Sequence, residues 1–397
     1  MRKHIYQIMI ILTSTLILSG CFGYKEMNNL AFVIGIGIDK KDEATYRVTF
    51  QVVHPNEIPS PSNPAGGQSL PIINYVGEGH TISEAARNTS KQISRQSYYG
   101  HIGLLIISEE AAKDNLLKVL DVFERDAKAR LGTPILIAHK SSANHVLGAL
   151  SPLQKMPSIA DLEKLENTTE LLGENMKISV NEVIQTISNP GSDVFISGIH
   201  VPKKDYDVKD FEKPQPLVPN ISGVALFRGD KMVHWVEARK TRALTLAKNK
   251  LQLTNLSIKC INDKKNYISI ALFDMKTKQD VTMKNGIPHI TFSIKGKGDL
   301  DEVMCDTKLT KDYINQTKRM ASEILEKEFI DMFNTATKKK VDVFSSGYEL
   351  YKDNPNEWKR YKKDWRILLR EAEVEVNVKL NIMSSGMRSD TAQITHD

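Results

Sequence analysis

The sequence predicts a mixed α/β protein of three domains, each a mixed sheet flanked by helices, behind a short amino-terminal leader. Three observations carry this. Segments of strand period alternate with segments of helix period along most of the chain. Residues 371–382 alternate strictly between apolar and polar side chains. A basic start, Arg2-Lys3, leads into an apolar run that ends in Leu18-Ser19-Gly20-Cys21.

The leader comes first. Ile5 to Leu18 would reach only about 21 Å as a helix, short of a hydrocarbon core of roughly 30 Å. Small residues at Ser19 and Gly20 suit a peptidase, and Cys21 follows them. We therefore expect residues 1–20 to be a lipoprotein signal peptide and Cys21 to carry S-diacylglycerol and an N-acyl chain. Several acyl chains together hold a protein firmly to a bilayer without spanning it.

The expected N-terminal domain covers 21–190. Leu30 to Asp39 is an apolar run, and Tyr46 to Val53 alternates as a strand. Five prolines between Pro55 and Pro71 mark a loop, and Ile72 to Val76 returns to strand. Thr81 and Glu84 form a capping box for a helix with Ile82, Ala85, Ala86 and Ile93 on one face. His101 to Ile107 reads as a buried strand headed by a structural histidine. Ser108 caps the next helix, whose inward stripe is Leu116, Leu117, Leu120 and Phe123. Pro134 to Ala138 is a short strand. Helices are expected near 143–150, 159–172 and 180–187.

A small middle α/β domain is expected over 191–254. It holds a strand at Val194–Val201, a proline-rich loop to Pro219, a hairpin turning at Arg228–Lys231 and a helix at Glu237–Lys248. The C-terminal α+β domain, 255–383, opens with strands at 256–261, 267–273 and 289–294. Lys311 to Lys338 is a long amphipathic helix with Ile314, Met320, Ile324, Phe329, Met332 and Phe333 inward. Glu371 to Ile382 follows as a strand of antiparallel character. Residues 384–397 form a polar tail.

Composition narrows the function. A formal charge of +6 is too mild to imply nucleic acid. Cys260 and Cys305 are the only other cysteines. They could pair in an oxidising space, and the sequence expectation is two separate thiols. Gly35-Ile36-Gly37 lacks the third glycine of a nucleotide loop, since Lys40 stands there, and reads as close packing within a sheet. No G-x-S-x-G, H-E-x-x-H or Cys/His ligand pair occurs. No catalytic, metal or cofactor-binding residue is therefore expected. Glu109, Glu110, Asp121 and Asp126 are placed on exposed helical faces.

Arg87, Arg95, Arg125 and Arg130 lie on or beside the two early helices. They read as a solvated face, with an anion or partner contact as the alternative. Lys338-Lys339-Lys340 and the group Lys359, Arg360, Lys362, Lys363 and Arg366 read the same way, with anionic lipid as the alternative. Trp358, Tyr361 and Trp365 fall near one helical face and read as core.

Several segments together resemble a known family. Cys21, Glu26-Met27-Asn28-Asn29-Leu30-Ala31 and Gly35-Ile36-Gly37-Ile38-Asp39 match, in order, the opening of the Ger(x)C lipoproteins, the C subunits of spore germinant receptors. Phe22-Gly23 stands where Trp-Asp is usual. Further matches are Thr81, Glu84, Ala85, Arg87, Arg95–His101, Arg125, and Asn354-Pro355 with Trp358, Trp365 and the 371–382 strand. The resemblance implies a non-enzymatic subunit with no cofactor, moored at the outer face of the spore inner membrane. It also implies integral-membrane A and B subunits as partners in a receptor whose response to nutrients starts germination. Read without the resemblance, a lipid-tethered α/β body also fits a solute-binding lipoprotein that delivers a small molecule to a transporter. A wall hydrolase is disfavoured by the missing nucleophile elbow and zinc motif.

Overall fold

The computed structural model describes residues 5–6, 26, 29–58, 69–126, 129–151, 153–202, 218–261, 263 and 265–384. Cys21, most of the leader, Phe22-Gly23, most of the loop before Pro219 and nearly all of the polar tail lie outside them.

Two sheets organise the chain. The larger begins with an antiparallel meander of β1 (Leu30–Lys40), β2 (Tyr46–Val53) and β3 (Ile72–Gly79). β4 (Gln96–Tyr98) and β5 (Leu104–Ser108) both run parallel to β1, at successive positions along it. β6 (Ile135–Ala138) and β7 (Phe195–His200) continue in parallel. β8 (Asn220–Arg228) and β9 (Lys231–Val236) close the far edge antiparallel. The order is β3-β2-β1-β5-β6-β7-β8-β9, with β4 beside β1.

β7, β8 and β9 fall within the middle domain expected at 191–254. Its three strands build no sheet of their own and extend the first one. A two-stranded hairpin is at best marginal alone. β8 and β9 gain stability by pairing with β7, whose edge is otherwise open.

β1 is apolar from Leu30 to Ile38 because helices cover both of its faces. On one side pack α1 (Ile82–Asn88), α2 (Glu109–Asp114) and α3 (Leu116–Arg125). On the other pack α4 (Ala143–Gly148) and α5 (Pro157–Leu171). Gly35 and Gly37 permit that second contact. A Cβ at Gly35 would come within 2.7 Å of Ser158 Cβ, and one at Gly37 within 3.0 Å of Leu147 Cδ1. The glycine pair is a packing device, as its place in an apolar run indicates.

The single helix expected after Ser108 is two. Asn115 breaks it at φ −165°, and its side chain accepts a hydrogen bond from the Lys118 N–H at 2.8 Å. The break resets the helical phase, so Val119 is buried and Leu117 only half-buried. The strand expected from His101 begins at Leu104 instead. His101 is exposed and packs edge-on against Phe32, 5.6 Å between ring centres.

α6 (Val180–Ser188) follows with a full capping box from Ser179 and Glu182. After β9, the helix expected at 237–248 forms only as α7 (Arg242–Ala247) behind a single 3₁₀ turn.

The smaller sheet is β10 (Leu253–Lys259), β11 (Tyr267–Lys284), β12 (Ile287–Val303) and β13 (Glu373–Ser384). Asn285 and Gly286, at φ 51° and 84°, make the tight turn between β11 and β12. That pair lets both strands run far past their expected ends. α8 (Lys311–Lys338) has the expected bounds. Its first half is rotated from the expected stripe, since Tyr313, Thr317, Ala321 and Leu325 are buried while Ile314, Met320 and Ile324 are half-buried. β13 is parallel to β12, not antiparallel, because α8 carries the chain back across the sheet. Three short helices, α9 (Ser346–Asp353), α10 (Pro355–Tyr361) and α11 (Trp365–Leu368), precede it.

Cys260 and Cys305 form a disulfide, with Cα atoms 5.7 Å apart. The expectation of two separate thiols is corrected. β10 and β12 flank β11, and the antiparallel register brings the end of β10 level with the end of β12. A sequence separation of 45 concealed this proximity.

Candidate functional site

A groove of about 970 Å³ opens on the large sheet between α1 and α3. Ile36, Ile38, Val48 and Phe50 line its floor from β1 and β2. Strand alternation sends those four to one face, and all four are buried. Tyr46 and Tyr99 form its walls, with the Phe50 and Tyr99 rings edge-to-face at 5.5 Å. The Tyr46 hydroxyl donates to Asp114 Oδ2 at 3.0 Å, and Lys40 pairs with the same oxygen at 2.8 Å. Lys40 holds the Asp114 carboxyl below its ordinary range.

The rim is cationic. Arg87 projects from α1, Arg95 from the approach to β4, and Lys118 and Arg125 from α3. Arg125 is tied to Asp121 one turn back, at 2.8 Å. Among the described residues, the Arg87 and Arg95 side chains have no ion-pair partner. α1 is aligned by its cap. The Glu84 N–H donates to Thr81 Oγ1 at 3.1 Å, and the His80 N–H donates to Glu84 Oε2 at 2.8 Å.

Three of the four arginines picked out in the sequence thus meet at one groove. Arg130 stands apart from its lining. Thr81, Arg87, Arg95, Ser97, Tyr99 and Arg125, which carried the family resemblance, all border the groove although three separate segments supply them. An apolar floor under guanidinium groups can hold a carboxylate or phosphate attached to an apolar body. Sequence reasoning missed Tyr46, Lys118 and the floor. Only the strand alternation of Val48 and Phe50 hinted at it.

The C-terminal aromatic and basic residues do something else. Trp358 and Trp365 sit on different helices, α10 and α11, with rings edge-to-face at 5.7 Å. Trp365 Nε1 donates to Asp342 Oδ2 at 2.8 Å, and the Ser346 and Gly347 N–H groups donate to the same carboxylate at 2.9 and 2.8 Å. Burial raises the Asp342 carboxyl to about 6, against the pull of those donors. Arg366 is no free surface cation. Its Nη2 donates to Asp193 Oδ1 at 2.6 Å, which ties α11 to the start of β7. Lys359, Arg360, Lys362 and Lys363 are exposed as expected.

Glu109 departs from its expected place on an exposed face. Its side chain is only 14% exposed, 2.9 Å from His139 Nδ1 and 2.6 Å from Lys113 Nζ. Burial pushes its carboxyl up, but Lys113, the Lys140 N–H and His139 outweigh that and leave it lowered. The His139 ring stacks on Trp235 at 3.8 Å, and burial lowers its affinity for a proton. Trp235 in turn lies on Gly198 and Gly223, where any Cβ would collide with the indole. Among the described residues, no three His, Cys, Asp or Glu side chains gather as a metal site, and no helix is long and apolar enough to cross a membrane.

Known proteins match this chain over nearly its whole length. A family model described as "Spore germination protein N-terminal domain" matches residues 23–201, and one described as "Spore germination B3/ GerAC like, C-terminal" matches 222–386. Spore germination protein KC of Bacillus subtilis (strain 168) is 27% identical over 98% of this chain and 97% of its own. Spore germination protein B3 of the same organism is 23% identical over 94% of this chain and 95% of its own. The crystal structure of the GerBC protein aligns with TM-score 0.57 and 16% identity, covering 88% of this chain and 97% of that one. The larger sheet crosses the gap between the two family models, since β8 and β9 fall in the second. With both models matched in order, the chain belongs to the GerAC, or Ger(x)C, family of spore germination proteins.

Proposed function

We propose that this protein is the lipid-anchored, non-enzymatic C subunit of a nutrient germinant receptor at the outer face of the spore inner membrane. The observation that carries the reading is the ordered match of both family models across residues 23–386, which starts two positions after Cys21. The A and B integral-membrane subunits are its expected partners, and its part in the receptor is to dock and relay rather than to catalyse. A lipid anchor supports that role, because confinement to a surface raises the effective concentration near membrane partners.

Affinity purification of the tagged lipoprotein from spore membranes tests this. The A and B subunits should co-purify, and intact-mass analysis should find Cys21 acylated. Loss of the gene should slow germination on particular nutrients while spore yield stays normal. Purification without either membrane subunit, or an unmodified Cys21, would overturn the reading.

The groove supports a second reading, a solute-binding lipoprotein. Titration of the purified chain with amino acids and other small carboxylates decides between them. Saturable binding that is lost in Arg87→Glu would favour solute delivery.

A further inference from the structure

We propose that the end of the large sheet where β1 begins lies against an anionic lipid surface. This rests on the reading that Cys21 is acylated. Leu30, the first residue of β1, lies nine positions after Cys21. A fully extended chain of that length spans about 30 Å at ~3.3–3.6 Å per residue. β1 itself is about 36 Å long at the same rise. The tether thus brings the start of β1 to the headgroups far more readily than its end.

That end of the sheet carries surface suited to a membrane. Register identifies its members. Leu30 is level with Gln96, so Arg95 and Tyr98 flank the start of β1. Val53 is level with Ile72, which places Leu70 and Ile73 at the same end. Leu131 precedes β6. α4 runs from Asp39, which accepts the Ala143 N–H, back to Leu147, whose carbonyl accepts from Gln51 and Asn74. Leu150 and Leu153 follow directly. These six apolar side chains, Leu70, Ile73, Tyr98, Leu131, Leu150 and Leu153, are among the exposed large hydrophobics, and Leu153 is fully exposed.

Cations accompany them. Arg95, Arg130 and Lys155 are exposed beside this end. Three acids share the region: Glu26 is exposed four residues before β1, Asp126 is exposed near Arg95 and Tyr99, and Glu57 is drawn into its own loop by the Ser69 N–H at 2.9 Å. Scattered leucines with flanking Arg and Lys are the pattern of a protein surface that rests in a headgroup layer. The opposite end of β1 differs. There Lys40 and Lys41 are neutralised by Asp114 and Glu78, and Asp42 and Glu43 stand exposed in the turn. That end offers an anionic bilayer no net attraction.

The test uses the full lipidated chain in vesicles of equal parts phosphatidylglycerol and phosphatidylcholine. Cys260 and Cys305 are bonded and Cys21 is acylated, so one added thiol can be labelled alone. A fluorophore is placed in Leu153→Cys, Tyr98→Cys or Glu43→Cys, and quenching by nitroxide headgroup lipids is measured. Quenching should be several-fold stronger at positions 153 and 98 than at 43. Adding Arg95→Glu, Arg130→Glu and Lys155→Glu should reduce it at 153 and leave flotation with the vesicles unchanged. Equal quenching at all three positions, or the strongest at 43, in a chain that floats and carries its lipid, would overturn the proposal alone. A chain that carries no lipid and does not float would overturn the anchor reading and the proposal with it.

Discussion

Asp193 and Asp342, 149 residues apart, exchange hydrogen bonds across the junction of the two sheets. The Asp193 N–H donates to the Asp342 carbonyl at 2.9 Å, and the Asp342 N–H donates to Asp193 Oδ2 at 2.8 Å. Each carboxylate then gathers donors from its own surroundings. Gly229 and Arg366 donate to Asp193, and Ser346, Gly347 and Trp365 donate to Asp342. Two further ties cross the same region, from Thr254 Oγ1 to the Leu172 carbonyl at 2.7 Å and from Arg242 to Glu328 at 2.9 Å. These contacts tie the larger sheet to the smaller one through side chains distant in sequence.

The lock has a measurable weight. Asp342→Asn turns an amide NH₂ toward N–H donors inside a closed site. Stability should fall by about 2–4 kcal/mol, the cost of leaving buried polar groups without partners. Urea unfolding at neutral pH measures it. A loss below about 0.5 kcal/mol would mean that the junction is held by apolar contact alone.

Asp161 predicts a pH dependence. Its carboxyl is 1% exposed, with Lys164 Nζ 2.9 Å from one oxygen and no hydrogen bond to the other among the described residues. Burial raises it from 3.8 to about 6, although Lys164 opposes that. Between those values the folded chain holds a proton that the unfolded chain has released. The resulting stability is full below pH 3.8 and is lost as pH rises through 6. Asp161→Asn removes this dependence. Relative to the parent, the variant should gain about 2–3 kcal/mol between pH 4 and pH 7. Parallel unfolding curves at the two pH values would show an Asp161 that is ionised throughout.

The disulfide between Cys260 and Cys305 closes a loop of 45 residues. The loop-closure relation predicts about 4 kcal/mol of stabilisation from it. Cys305→Ser, or reduction of the parent, should lower the denaturant midpoint by a corresponding amount. If the two proteins unfold at the same midpoint, the small sheet does not depend on its staple.

Arg87 and Arg95 separate fold from function. Both are exposed and have no ion-pair partner among the described residues. Arg87→Glu with Arg95→Glu should leave stability within about 0.5 kcal/mol per site. Spores carrying the pair should nonetheless respond more slowly to nutrient. A normal germination rate would remove the groove from the receptor's working parts.

Local pattern was enough for the elements that obey one clean period. The bounds of α8 followed from its helical repeat, and β13 from its alternating apolar and polar residues. The cap at Thr81 and the packing role of Gly35 and Gly37 were equally local, although the other half of the expected capping box does not form, because Glu84 Oε2 accepts from the His80 N–H. Where a helix broke, as at Asn115, or wound slightly off the expected stripe, as from Tyr313 to Leu325, the phase was set by neighbours that sequence order does not reveal.

The sequence by itself determined the kind of elements, their order, the family and the expectation of a lipid on Cys21, because each of these is written in residues close along the chain. Only the tertiary structure decided that β7 to β9 join the first sheet, that β13 lies parallel, that Cys260 meets Cys305 and that Arg87, Arg95 and Arg125 ring one groove. Those outcomes depend on which strand edges are left open and which distant side chains the sheets bring together. Such pairings are settled by burial and hydrogen bonding across the whole body.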